Sequence, residues 1–326
     1  MDDERRRPFI PKDSHPIETG RYVIPTNEIF NLYTEITKWI KNRAPGGIIY
    51  GRPRLGKTRA IEYLKRIISV NYDSKLPIYT IACRQYKNPN EGVFFEDLLR
   101  DVKHALHSSG KSNIKRDRLT KFLIERTESS GTNRVIMFID DAQRLFEIQY
   151  GWLMDIYNEL DNYGISLTVI LVGQEELIHQ RSAFIHAKKA QIIGRFMVHE
   201  YKFTGLKNSG DIQTCLKGYD ADSEYPTNSG WSFTRYYFPD SFCEGKRLES
   251  CAEDVYDAFK NLRQEVGQLK NTFEIPMQYL TLTIEYALRS FGVSGENVEW
   301  LSKSHWKDAI LNSGYLEAEA QQSSMN

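Results

Sequence analysis

The segment Gly51-Arg52-Pro53-Arg54-Leu55-Gly56-Lys57-Thr58 has the spacing G-x-x-x-x-G-K-[ST]. Glycines let such a loop curl so that its backbone N–H groups point at phosphate oxygens. The apolar run Ile48-Ile49-Tyr50 precedes it, and a helical pattern with Ile61, Leu64 and Ile68 follows. The loop therefore ends on a helix N-terminus, whose dipole favours an anion. Lys57 is placed to reach β- and γ-phosphates and the Thr58 hydroxyl to hold Mg²⁺. All eight residues, Gly51 to Thr58, are expected to line a nucleotide site. The plain alternative is a glycine turn without a ligand, and the strand before and helix after it argue against that.

Phosphate chemistry needs a second element. The apolar run Val135–Ile139 ends in Asp140-Asp141-Ala142-Gln143. A carboxylate at the tip of a buried strand stands at the edge of an open α/β sheet where ligands bind. Asp140 is expected to hold Mg²⁺, directly or through water, and Asp141 to orient or activate the attacking water. A third polar group, Gln174, closes the run Leu171-Val172-Gly173, where it could sense the γ-phosphate or position the water. Two aspartates opening a loop, and a glutamine opening a helix, are the non-catalytic readings.

Strands that alternate with helical patterns must carry these groups. Strand-like runs at Ile48–Tyr50, Ile78–Cys83, Val135–Ile139, Leu167–Val172 and Phe196–Tyr201 are separated by amphipathic stretches. This predicts an α/β domain with a mostly parallel sheet. Beyond Gly205 the strand-like runs stop. Helices are expected at about 208–218, 248–266, 276–291 and 302–313, with Tyr219–Lys246 as a long irregular connection. The expected organisation is an irregular arm over 1–24, a nucleotide-binding α/β domain over 25–206, and a helical lid and tail over 207–326. The four cysteines are scattered without paired spacing, so neither a disulfide framework nor a zinc site is expected, and a reducing cytoplasm fits. No apolar run approaches a membrane span and no secretory leader is visible.

Together these pieces resemble the AAA+ ATPases over roughly residues 25–265. Within them they are similar to the transposition regulators TnsC, TniB and Mu B, and most of all to the TnsC of CRISPR-associated, type I-F-like transposons. The residues that carry this are Tyr22-Val-Ile-Pro25-Thr26, the loop Gly51–Thr58, Asp140 to Gln143, and Val172-Gly173-Gln174-Glu-Glu-Leu177. The resemblance implies an AAA+ P-loop fold with a helical lid. It also implies ATP with Mg²⁺ as ligands, and a slow ATPase serving as an assembly switch. Copies of the chain would form a ring or filament of about six or seven subunits on duplex DNA. That assembly would mark a target, recruit the transposase and connect it to a target-selecting adaptor. One departure concerns catalysis: the family usually has Asp-Glu where this chain has Asp140-Asp141, and an aspartate is one methylene shorter. The resemblance also implies an arginine acting on the neighbouring subunit's site. Arg195 is the first choice and Arg181 the second, and no lid arginine is assigned.

Lysines plus arginines equal aspartates plus glutamates at 43 each, which excludes a protein that holds nucleic acid by bulk charge. The balance is uneven along the chain. Arg100 to Lys121 holds seven basic and two acidic residues, whereas Glu249 to Glu319 holds six basic and twelve acidic ones. The basic segment is expected to contact DNA phosphates without reading bases, through Lys103, Lys111, Lys115 and Arg116. A solvated helix face is the bland reading, and Arg5, Arg6 and Arg7 are the alternative surface. Two other functions compete: an AAA+ loader or initiator of replication, and a P-loop kinase for a small substrate.

Overall fold

A computed structural model describes residues 7–71, 75–267 and 273–325, with side chains described as far as residue 322. The chain falls into two compact units. One comprises Asn31–Pro53 with Lys57–Phe203, the other Met1–Phe30, Arg54–Gly56 and Thr204–Asn326.

Two helices, α1 (Pro16–Thr19) and α2 (Asn27–Lys41), open the chain. Helix α2 starts where the Thr26 hydroxyl accepts from the Ile29 amide, and it buries Ile29, Leu32, Ile36 and Ile40 along one stripe. The α/β unit continues as β1 (Gly46–Tyr50), α3 (Lys57–Asn71), β2 (Ile78–Ala82), α4 (Glu91–Asp101), α5 (Ser112–Ser130) and β3 (Arg134–Asp140). It ends with α6 (Glu147–Asn162), β4 (Ser166–Gly173), α7 (Glu176–His186), α8 (Ala190–Phe196) and β5 (His199–Lys202). The five strands form one parallel sheet in the order β2-β3-β4-β1-β5. Strands β3 and β4 are buried along their whole interior and apolar but for Thr168, as a parallel sheet covered on both faces requires. The register matters for chemistry. Tyr50 pairs with Gly173 and Ala82 with Asp140, so the phosphate loop, Asp140 and Gln174 all leave the same edge of the sheet.

The last strand lies slightly later than its sequence suggests. Phe196 closes α8, where it packs inward with Ile192, and the strand starts at His199. A short apolar run before an edge strand cannot be told from a helix end by periodicity alone.

The second unit is helical: α9 (Ser209–Asp220), α10 (Phe233–Tyr237), α11 (Pro239–Cys243), α12 (Ala252–Glu265), α13 (Met277–Phe291), α14 (Lys303–Asn312) and α15 (Tyr315–Met325). Its core gathers Leu216, Tyr219, Tyr237, Phe259, Leu288 and Trp306. The stretch Tyr219–Lys246 is less irregular than expected. It holds α10, capped by the Ser232 hydroxyl, and α11, opened by Pro239. Five-residue helices are too short to print a period, and only their caps are visible in sequence.

Residues 7–24 are packed in part, with Phe9, Pro11, Lys12 and Asp13 in solvent. Ile17 and Ile24 join the helical core, and the Tyr22 hydroxyl donates to Glu285 at 2.9 Å beside the Tyr219 hydroxyl at 3.0 Å. Arg5 and Arg6 lie outside the described residues. Among the described residues no helix is long and apolar enough to cross a membrane, and Cys83, Cys215, Cys243 and Cys251 are free thiols.

Candidate nucleotide site

The phosphate loop leaves β1 and enters α3 at Lys57. Gly51 and Leu55 are buried, while Pro53 and Arg54 stand in solvent. Gly56 has φ +99°, a backbone state that a side chain would strain, so the motif's second glycine is required by conformation. The crown of the loop, Arg54 to Gly56, groups with the helical unit. The Arg54 carbonyl accepts from the Gln278 amide at 3.2 Å, and its guanidinium donates to the Tyr279 hydroxyl.

The Lys57 ammonium donates to the carbonyls of Gly51 at 2.7 Å and Arg52 at 2.8 Å. Burial pulls its pKa down to about 8, against the opposing pull of Asp140, Asp141, Glu175 and Glu176. The Thr58 hydroxyl donates to Asp140 Oδ2 at 2.7 Å. These two residues are 82 apart in sequence, and the β1–α3 and β3 ends bring them together. Asp140 Oδ1 accepts from the Asp141 amide at 3.0 Å, which fixes the carboxylate's rotation.

Asp141 sits in the left-handed region at φ +55°. Its Oδ1 accepts from Gln143 Nε2 at 3.3 Å, and its Oδ2 lies 3.1 Å from an Arg144 nitrogen. Arg144 also donates to the Cys83 carbonyl, just past the end of β2. The Gln174 amide donates to Gln143 Oε1 at 3.2 Å. Sequence reasoning quoted Gln143 within Asp-Asp-Ala-Gln but gave it no role, and it gave none to Arg144. Their i+2 and i+3 spacing from Asp141, in a tight turn of 3₁₀ helix, is the signal that was there to be read.

The two candidate arginines, Arg181 and Arg195, differ. Arg181 Nε donates to the Met197 carbonyl at 2.9 Å, and its guanidinium lies 3.6 Å from Glu200. Arg195, in the last turn of α8, lies over the Tyr157 ring at 5.1 Å and has no ion pair among the described residues.

The basic segment is largely neutralised within its own unit. Lys115 is buried and ion-paired to Glu96 at 2.6 Å, so its ammonium is not available at the surface. Arg116 meets Asp155 at 2.9 Å and Glu91 at 3.4 Å, and Arg100 meets Asp97 and Glu96. Lys103 and Lys111 are exposed and make no ion pair among the described residues. They flank the turn between α4 and α5, which Arg118 braces by donating to the carbonyls of Leu106 and Ser109 at 2.6 Å each.

Residues 40–180 match the family model described as an AAA domain, which is less than half of the chain. Over nearly its whole length the chain is similar to the Aeropyrum pernix ORC2 protein in its ADPNP–ADP complexes. The TM-score is 0.54 at 13% identity, covering 92% of this chain and 71% of that one. It is also similar to the Aeropyrum pernix ORC1 protein in complex with DNA, with TM-score 0.50 at 13% identity, covering 89% of this chain and 66% of that one. No curated protein matches the sequence. At these identities the likeness establishes the fold: an α/β P-loop fold of the AAA+ kind, with an all-parallel five-stranded sheet.

Proposed function

We propose that the chain is an ATP-hydrolysing switch that binds duplex DNA in its ATP state. The observation that carries this is the Thr58 hydroxyl set 2.7 Å from Asp140 beside Lys57, at the mouth of a phosphate loop. A hydroxyl and a carboxylate oxygen at that separation fit Mg²⁺, a hard cation that takes a few protein oxygens and leaves its other positions to phosphate and water. Bound there, the metal would neutralise charge on the β- and γ-phosphates. Lys57 would exchange its loop carbonyls for phosphate oxygens. Asp141, held by Gln143, would orient the water, with Gln174 linked to it through the same Gln143 carboxamide. Arg195 is the better choice to act on a neighbouring copy's nucleotide, since Arg181 is engaged by Met197 and Glu200. Lys103 and Lys111 would meet DNA phosphates, with Arg116 able to join only by giving up its carboxylates.

The biological setting we infer is target selection in transposition. The chain would assemble on DNA as a ring or filament and present the site to a transposase and a targeting adaptor. The motifs at 22–26, 140–143 and 172–177 support this reading. A second reading, an initiator or loader of replication, draws on the fold likeness to the Aeropyrum ORC proteins. Assembly that spreads along unrelated duplexes favours the first, and assembly confined to one sequence favours the second.

The ATPase itself is tested by measuring ATP turnover with Mg²⁺ for the wild type and Asp141→Asn. Turnover should fall by about 10²–10⁴-fold while ATP binding persists. Wild-type turnover in the variant removes Asp141 from the mechanism.

A further inference from the structure

Gln143 links the ends of the neighbouring strands β3 and β4 beyond their last paired residues, Ile139 and Leu171. It lies in the 3₁₀ turn Ala142–Arg144 after β3. One end of its carboxamide donates to Asp141 Oδ1 at 3.3 Å, and the other accepts from the Gln174 amide at 3.2 Å. The partners decide which way the amide faces. A backbone N–H can only donate and a carboxylate can only accept, so oxygen must face Gln174 and nitrogen Asp141. Gly173 gives independent testimony. A Cβ there would lie 2.4 Å from Gln143 Oε1, so the space above the end of β4 is reserved for this carboxamide. Gly173 does not show a left-handed φ, so this close approach, not backbone conformation, is what calls for glycine there.

We propose that Gln143 is a positioning residue for ATP hydrolysis: its carboxamide clamps Asp141, on the loop after β3, to the backbone of Gln174, at the end of β4. The inference rests on the ATPase reading above. The clamp holds the two groups assigned to the attacking water at a fixed separation. Only a side chain with a donor at one corner and an acceptor at the other can close it. A glutamate of the same shape still accepts from Gln174 but turns a carboxylate toward Asp141. An alanine releases both ends.

The test uses the full-length chain with Mg²⁺–ATP, comparing wild type, Gln143→Ala, Gln143→Glu, Gly173→Ala and the double variant Gly173→Ala/Gln143→Ala. Steady-state kcat and KM, nucleotide affinity and the thermal midpoint are measured for each. Gln143→Ala and Gln143→Glu should lower kcat by about 10²-fold, the cost of a small misplacement of a reacting group, with KM and affinity unchanged. Gly173→Ala should do the same, because the new methyl displaces the carboxamide. The double variant should be no worse than Gln143→Ala alone, since the atom that the methyl would strike is gone. If Gln143→Ala does not fold, the isosteric Gln143→Glu carries the comparison. A wild-type kcat in a folded Gln143 variant, or losses that multiply in the double variant, would overturn the clamp. A wild type that binds ATP without hydrolysing it overturns the ATPase reading and the clamp with it, and the wild-type measurement alone identifies that outcome.

Discussion

Lys57 holds its ammonium on two carbonyls of its own loop, in a setting buried enough to bring its pKa down to about 8. Removing it takes away the only lysine ammonium on the loop, while the Gly56 turn and the start of α3 stay as they are. A hydrogen bond to a charged partner contributes about 1.5–3 kcal/mol. Lys57→Ala should therefore weaken ATP binding by roughly ten- to hundredfold, as read by titration with a fluorescent nucleotide, and an unchanged affinity would remove the loop from the site. At this scale the sequence is informative where neighbours in space are neighbours in the chain. Gly51 to Thr58 and Asp140-Asp141 are each a single local pattern. Gln143 was not legible in the same way. Its second partner, the Gln174 amide, is 31 residues away, and the reason for Gly173 appears only once the carboxamide is seen lying over it.

At the scale of elements, the strands were read from continuous apolar runs, because a parallel sheet covered on both faces leaves that trace. The charge of α4 and α5 was harder to read. A local excess of basic residues between Arg100 and Lys121 says nothing of the acids that fold against it, and Glu91, Glu96 and Asp155 come from α4 and α6. The segment thus divides into Lys103 and Lys111, which are exposed, and Lys115, which is buried. The two classes should behave differently. Lys103→Ala/Lys111→Ala should reduce the slope of log K against log [salt] for duplex binding by about 0.9 per lost contact, with stability unchanged. Lys115→Ala should leave that slope alone and lower the thermal midpoint, because a buried side chain and its ion pair are lost while Glu96 is left to Arg100. Equal salt slopes in the double variant and the wild type would place the DNA surface elsewhere.

For the molecule as a whole, the N-terminal residues give the clearest departure from what the sequence suggests. Three prolines and a polar composition describe an arm, yet His15 is 1% exposed and Ile17 and Ile24 lie in the helical core. The His15 ring stacks on Tyr236 at 4.5 Å with Tyr225, Phe233 and Tyr237 around its edges. Burial, and then the Arg7 guanidinium, draw its pKa from 6.5 down to about 4. The folded chain therefore resists a proton that the unfolded chain accepts. The stability that neutral His15 contributes is complete above pH 6.5 and is lost as the pH falls toward 4, by up to about 3 kcal/mol. Thermal midpoints measured from pH 7.5 down to 4 should fall in the wild type. They should fall less steeply in His15→Asn, which keeps a side-chain acceptor for the Ile17 amide but does not titrate. Parallel pH curves for the two proteins would mean that His15 takes up its proton equally in the folded and unfolded chain, against a lowered pKa.

The central claim is that nucleotide at the Gly51–Thr58 loop controls DNA binding. Its most direct test is fluorescence anisotropy of a labelled random-sequence duplex titrated with the full-length chain. Titrations with Mg²⁺ and ATP, with Mg²⁺ and ADP, and without nucleotide are compared, each repeated with Lys57→Ala. Tight binding with ATP, weak binding in the other two conditions, and weak binding in all three for Lys57→Ala is the predicted pattern. Equal DNA affinity with and without ATP, or an ATP response retained in Lys57→Ala, would contradict it.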